Sequence, residues 1–341
     1  MNKRRLVDDG PRTRPRRSAD RYISGVLDYV KLSSPDRTKK VLLFSDYHIP
    51  YKGKGCAGCD DTTCPDFFIS VLEDIISSAG RSTVDLYIEQ DILPDTPLRE
   101  NKNILLGLTR EYFDACHRKN KTACKRRWPN LRYHYADARV DSRAGLYTFQ
   151  TPNRSEYMND MMYCYLLNED KVDKKTIVTI LDEYLKKFPN YSRVLRDFIR
   201  SPRMRKQYAG IPENVRRTVF KTICRVVKER ALDYGTLQKH VSYLIETGRY
   251  DDFNARYLIY PLVGLMDMYL MTRAFRYFDG SPQDKIVIYA GVAHIDEYLK
   301  IFVELGYLIE HQSETVKTRN LDGLQFVKTF CKKVEDFDKW W

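Results

Sequence analysis

The feature that most constrains this chain is a set of short apolar runs with almost no polar face. They lie at Lys39–Ser45, Thr83–Ile88, Leu131–Ala136 and Lys285–Ala290. Runs of this length, bounded by charged and turn residues, read as buried strands. Strands apolar on both faces belong in a mainly parallel sheet that helices cover on each side. Weaker strand signals lie at Tyr307–Glu310 and Leu324–Val327.

Helical spacing fills the gaps between the runs. In Pro65–Ser78, residues Phe68, Val71, Leu72, Ile75 and Ile76 fall on one face, with Pro65 near the first turn and Gly80 past the end. Asn103–Arg118 and His294–Leu305 are two further helices, the second closed by Gly306. Ser155–Phe278 reads as almost wholly helical, broken at Pro189, Pro202, Pro212, Gly235 and Gly248. A short amphipathic helix is expected at Ala19–Lys31. The expected fold class is α/β: a mostly parallel central sheet flanked by helices, with a large all-helical insertion. Four parts follow: a basic tail with a short helix at 1–36, the first half of the α/β domain with a Cys-containing loop at 37–150, the helical insertion at 151–280, and the second half of the α/β domain at 281–341.

Charge adds a partner class. The net charge is +12, and much of it is local, in residues 1–21, Arg118–Arg132 and Arg193–Arg230. Basic blocks attract nucleic acid by counterion release, and they suit acidic protein partners such as those of a virion. No helix-turn-helix or base-stacking motif accompanies them, so a solvated face is the plainer reading. No apolar run follows the basic start, so no signal peptide is read. The longest apolar stretch, Tyr257–Met271, contains Pro261 and Asp267. It falls short of the ~20 residues that a bilayer span needs, so no membrane span is expected. A cytoplasmic protein is the expectation. Its eight cysteines then read as thiols or metal ligands rather than a disulfide frame. Cys56, Cys59 and Cys64 offer C-x2-C and C-x4-C spacing, three ligands for a structural zinc. Cys116, Cys124, His117 or His48 would supply the fourth.

The chemistry-bearing residues cluster where the strands run out, the place where open α/β sheets bind ligands. Asp46 and His48 follow the first run, Glu89 the second, Asp137 and Arg139 the third, and Gly291 and His294 the last. His suits proton transfer or metal ligation near neutral pH. Arg139 suits an anion clamp through its planar fork, and Asp137 is the residue it would otherwise pair with. Asp267 is a carboxylate inside an apolar helix and needs a partner from elsewhere, with Arg139 as candidate.

The strand followed by Asp46-Tyr47-His48 resembles the opening of calcineurin-like metallophosphoesterases. That family also needs Gly-Asp and Asn-His blocks, and neither dipeptide occurs here. A longer resemblance runs through Ser45-Asp46-Tyr47-His48, Glu89 and Gly291-Val292-Ala293-His294. In order and spacing these are similar to the superfamily of erythromycin esterase, the ChaN-like haem-binding proteins and the TraB/Tiki proteins. There the motifs are commonly Gly-Glu-x-His, a strand-ending Glu and a late Gly-x-x-His. Ser45 stands where the family has Gly, and Asp46 where it has Glu. The resemblance implies a hydrolase of a small molecule or peptide, with His48 as general base or ligand, Asp46 and Glu89 orienting, and His294 as second base or ligand. The site is either metal-free or holds a divalent ion such as Zn or Mn. Ser-Asp-Tyr-His, the Cys-bearing loop, Tyr135-Ala-Asp-Ala-Arg139 and the Met266-Asp-Met-Tyr269 helix are together also similar to uncharacterised proteins of large DNA viruses. The rival function is a non-catalytic, basic structural or virion-associated protein.

Overall fold

A computed structural model describes residues 21–24, 26–46, 66–91, 105–117, 120–137, 202–230, 234–252, 256–278, 283–313, 331–334, 340–341 and a few isolated helical positions between 174 and 200. Its centre is a six-stranded sheet in the order β6-β5-β7-β3-β2-β8. The strands are β2 Asp28–Ser33, β3 Lys40–Asp46, β5 Val84–Asp91, β6 Leu131–Asp137, β7 Lys285–Gly291 and β8 Leu308–Gln312. Beside it lies a small sheet of β1 Arg21–Ser24 between β4 Asp66–Phe67 and β9 Cys331–Val334.

All four strong apolar runs are strands, and they form one parallel block. β3 pairs with β7 from Lys40↔Lys285 to Asp46↔Gly291, β7 pairs with β5, and β5 with β6. The other two pairings, β3 with β2 and β2 with β8, are antiparallel. The sheet is therefore mixed, which corrects the expectation of a mostly parallel one. The cause is the connection from β2 to β3, too short for a crossover. Arg37, at φ 58, turns the chain back, while the Arg37 N–H donates to the Ser34 carbonyl and the Ser34 N–H to the Lys39 carbonyl, at 2.8 and 2.9 Å.

The expected helix over Ala19–Lys31 is also corrected, since β1 and much of β2 occupy it. Tyr29 and Val30 are aromatic and β-branched and fit a pleated, buried surface. Their strand is fixed by the Asp28↔Ser45 to Ser33↔Lys40 register. The expected helix over Asn103–Arg118 is two, α2 Leu105–Tyr112 and α3 Asp114–His117, parted at the buried Phe113. The Leu324–Val327 strand signal lies outside the described residues.

Side chains alternate across the sheet, as the period of two requires. One face carries Val41, Leu43, Tyr87, Ile286 and Ile288. Over it lie α6 Glu213–Arg230, α8 Arg256–Ala274 and α9 Val292–Glu304, contributing residues such as Ile223, Leu270 and Ile301. The opposite face carries Leu42, Phe44, Leu86, Ile88 and Val287 against α1 Phe68–Ser78. Between β6 and β7 the described elements are helical: α5 Pro202–Tyr208, α6, α7 Tyr234–Thr247 and α8. Much of the expected insertion at 151–280 lies outside the described residues. No described helix is long and apolar enough to cross a membrane.

One cysteine expectation is corrected. Cys116 of α3 and Cys124 of α4 Lys121–Arg127 form a disulfide, their Cα atoms 4.8 Å apart. Asn120 brings them together, because its side chain caps α4 by accepting the Ala123 N–H at 3.2 Å and folds α4 back on α3. Neither sulfur is then a thiolate for zinc.

Gly306 closes α9 at φ +83, where a Cβ would stand 3.3 Å from Pro35 Cγ. A left-handed conformation costs an L-residue roughly 1–2 kcal/mol. Gly306→Ala is expected to lose at least that much in urea denaturation. Unchanged stability would show that this turn relaxes freely.

Candidate functional site

The parallel block ends in polar residues, and the topology gathers them. β3 ends at Asp46 beside Gly291, the last residue of β7. α9 starts at once, so the exposed N–H groups of its first turn face the same end of the sheet. Glu89, on the neighbouring β5, accepts the Gly291 N–H at 2.6 Å through Oε2. A carboxylate there also meets the positive end of the α9 dipole. His294 stands in the first turn of α9. Its Nε2 lies 3.3 Å from Glu89 Oε1, and its Nδ1 lies 2.5 Å from Asp267 Oδ1 on α8. On the other side of β7, the Tyr289 hydroxyl donates to Asp46 Oδ2 at 2.7 Å.

All these groups are buried; Asp46, Glu89, Asp267 and His294 are each 8% exposed or less. Burial alone would push the His294 imidazole down, yet the charges of Asp267 and Glu89 and their hydrogen bonds outweigh it and lift it to about 10. The two carboxylates thus favour the protonated ring. Burial, reinforced by the Asp46 charge, raises the Tyr289 hydroxyl well above its ordinary range, so it stays a donor.

Asp267 meets His294, because α8 lies over the sheet face on which α9 opens; Arg139, the partner expected for it, is not among the described residues. Asp137 ends β6 opposite Asp91 in the strand register, and its side chain lies outside the description. His48, Arg139, Cys56, Cys59 and Cys64 lie outside the described residues. Of the residues expected at the site, the fold brings together Glu89 and His294, with Asp46 one strand away from Glu89 across β7.

A second buried polar cluster occupies the amino end of β5 and β6, on the same face. Asp85 takes two hydrogen bonds from Arg132, at 2.8 and 2.7 Å, and one from His134 Nε2 at 2.7 Å. Arg273 Nε donates to His134 Nδ1 at 3.3 Å. Burial, aided by the Arg273 charge against the pull of Asp85, holds His134 down at about 4, so the ring is neutral. Tyr87 and Phe278 hold its two faces, with centroids at 4.4 and 4.7 Å. Sequence reasoning gave these residues no role. The available signal was Asp85, an acid inside the apolar run Thr83–Ile88.

Among the described residues, no group of three or more His, Cys, Asp or Glu side chains is arranged to hold a metal ion. Both nitrogens of His294 face carboxylates. Comparison with protein-family models, with curated proteins and with solved structures finds no match.

Proposed function

We propose that the chain is a hydrolase of the erythromycin esterase, ChaN-like and TraB/Tiki type, with a His and carboxylate site that activates water without a metal. The observation that carries this reading is the buried contact of Glu89 with His294, residues over two hundred positions apart, at the carboxyl ends of parallel strands. Water attacks a carbonyl-type carbon in a small molecule or peptide. His48, two residues past the end of β3, is the general base. Asp46 and Glu89 orient the reacting groups, and Arg139, with Asp137 two residues before it, clamps an anionic part of the substrate.

Purified protein assayed on a panel of esters and amides tests the reading. Activity is expected to fall roughly a hundredfold or more in both His48→Ala and His294→Ala, the usual size of an acid–base contribution. Elemental analysis of the same samples separates the metal readings. Zinc lost only in Cys56→Ser marks a structural ion held by Cys56, Cys59 and Cys64. Zinc or manganese lost in His48→Ala replaces the metal-free site with a metal-assisted one. No hydrolysis, together with DNA affinity that falls steeply with salt and is unchanged in His48→Ala, overturns the enzyme in favour of a basic, non-catalytic protein that binds nucleic acid or virion partners.

A further inference from the structure

Asp267 is the only charged residue in the apolar stretch Tyr257–Met271, and it sits between the buried Met266 and Met268. A carboxylate there is costly unless a donor meets it. The donor is His294 Nδ1, at 2.5 Å. The same ring presents Nε2 to Glu89, whose second oxygen is already held by the Gly291 N–H. A neutral imidazole would turn one lone pair against a carboxylate oxygen, whereas a doubly protonated ring satisfies both. Among the described residues, Asp267 from α8 and Glu89 from β5 are the charged groups in contact with the ring; Tyr298 of α9 stacks on it at 6.2 Å.

Resting on the hydrolase reading, we propose that Asp267 is a positioning residue that locks His294 as an imidazolium, so that His294 is the proton donor of the site and not its base or a metal ligand. Nδ1–H stays on Asp267, and the proton given away is that of Nε2. In hydrolysis the water hydroxyl bonds to the acyl carbon, and its remaining proton goes to His48 and from there to solvent. The bond to the departing oxygen or nitrogen breaks, and its electron pair takes the Nε2 proton. The neutral ring, still oriented by Asp267, takes a proton back from solvent. The substrates served are those with a poor, basic leaving group, such as alkyl esters and amides.

Nitrogen-15 NMR of the full chain labelled at its six histidines tests this directly. The His294 signals are assigned by their loss in His294→Gln. At pH 8 the wild-type ring is expected to carry protons on both nitrogens. Asp267→Asn is expected to leave it neutral, and Asp267→Glu to restore the second proton. Stoichiometric zinc sulfate is expected to leave both protons in place. A neutral wild-type ring, a folded Asp267→Asn protein that keeps both protons, or loss of the protons to zinc each overturns the proposal. Should Asp267→Asn not fold, the wild-type and Asp267→Glu spectra decide. Where hydrolysis is measured, kcat of Asp267→Asn is expected to fall roughly a hundredfold, with KM little changed and the alkaline limb of the pH profile moved down. Expected spectra without any hydrolysis sink the hydrolase reading alone.

Discussion

Asp85→Ala is expected to destabilise the protein by roughly 3–5 kcal/mol, the cost of breaking a buried ion pair by removing one partner. Asp85 is fully buried and carries a bidentate pair with Arg132. Without it, the guanidiniums of Arg132, Arg273 and Arg276 stand within 5.6, 4.9 and 5.2 Å of the Phe278 ring centre with no carboxylate among the contacts described there. His134 would also lose the acceptor for its Nε2–H. Urea denaturation at neutral pH measures the loss. Asp85→Asn keeps an acceptor and the shape, and is expected to cost less. A loss under about 1 kcal/mol for Asp85→Ala would mean that the Arg132 pair behaves like an exposed one. The consequence reaches the candidate site, because Asp85, Tyr87 and Glu89 alternate onto one face of β5. The anchor at the amino end therefore sets the rotation that delivers Glu89 to Gly291.

Sequence patterning was informative where one period dominates. KVLLFS is apolar in every position but the first and last, and KIVIYA in every position but the first, so a strand covered on both faces fits them. Their polar ends are legible for the same reason, and Asp46, Glu89 and His294 fall at the carboxyl ends of β3, β5 and the β7–α9 junction. The antiparallel edge was not legible. Tyr29, Val30 and Leu32 satisfy a helical stripe as well as a strand, and only pairing with β3 decides between them. The partner of Asp267 was hidden for a different reason. Spacing along α8 shows that its own arginines diverge from Asp267, yet says nothing of which helix crosses at that turn. The Cys116–Cys124 pair was missed because the local chain reversal at Asn120, rather than residue spacing, brings the sulfurs together.

Raising the pH is expected to weaken the fold well before the tyrosines titrate. His294 has an ordinary value of 6.5 when unfolded and about 10 when folded. A group raised on folding contributes fully below its unfolded value, and the contribution is lost as pH climbs toward the folded value. Between those limits the folded protein holds one proton more than the unfolded chain, so stability falls by about 1.4 kcal/mol per pH unit from this group. His134 has the opposite sign, since burial lowers it to about 4. Its contribution is present above 6.5 and is lost as pH falls toward 4. The two histidines thus set opposite arms of one profile with its maximum near the ordinary imidazole value. Tyr87 and Tyr289 are raised on folding and hold their protons in the native state throughout this range. Denaturation midpoints taken from pH 7 to about 9 therefore report His294. In Glu89→Gln and Asp267→Asn the downward slope is expected to shrink, because each removes one of the carboxylates that hold the proton. A wild-type profile flat over that interval would mean that the ring buried between α8 and β5 is neutral, and that its two acids do not act on it as a pair.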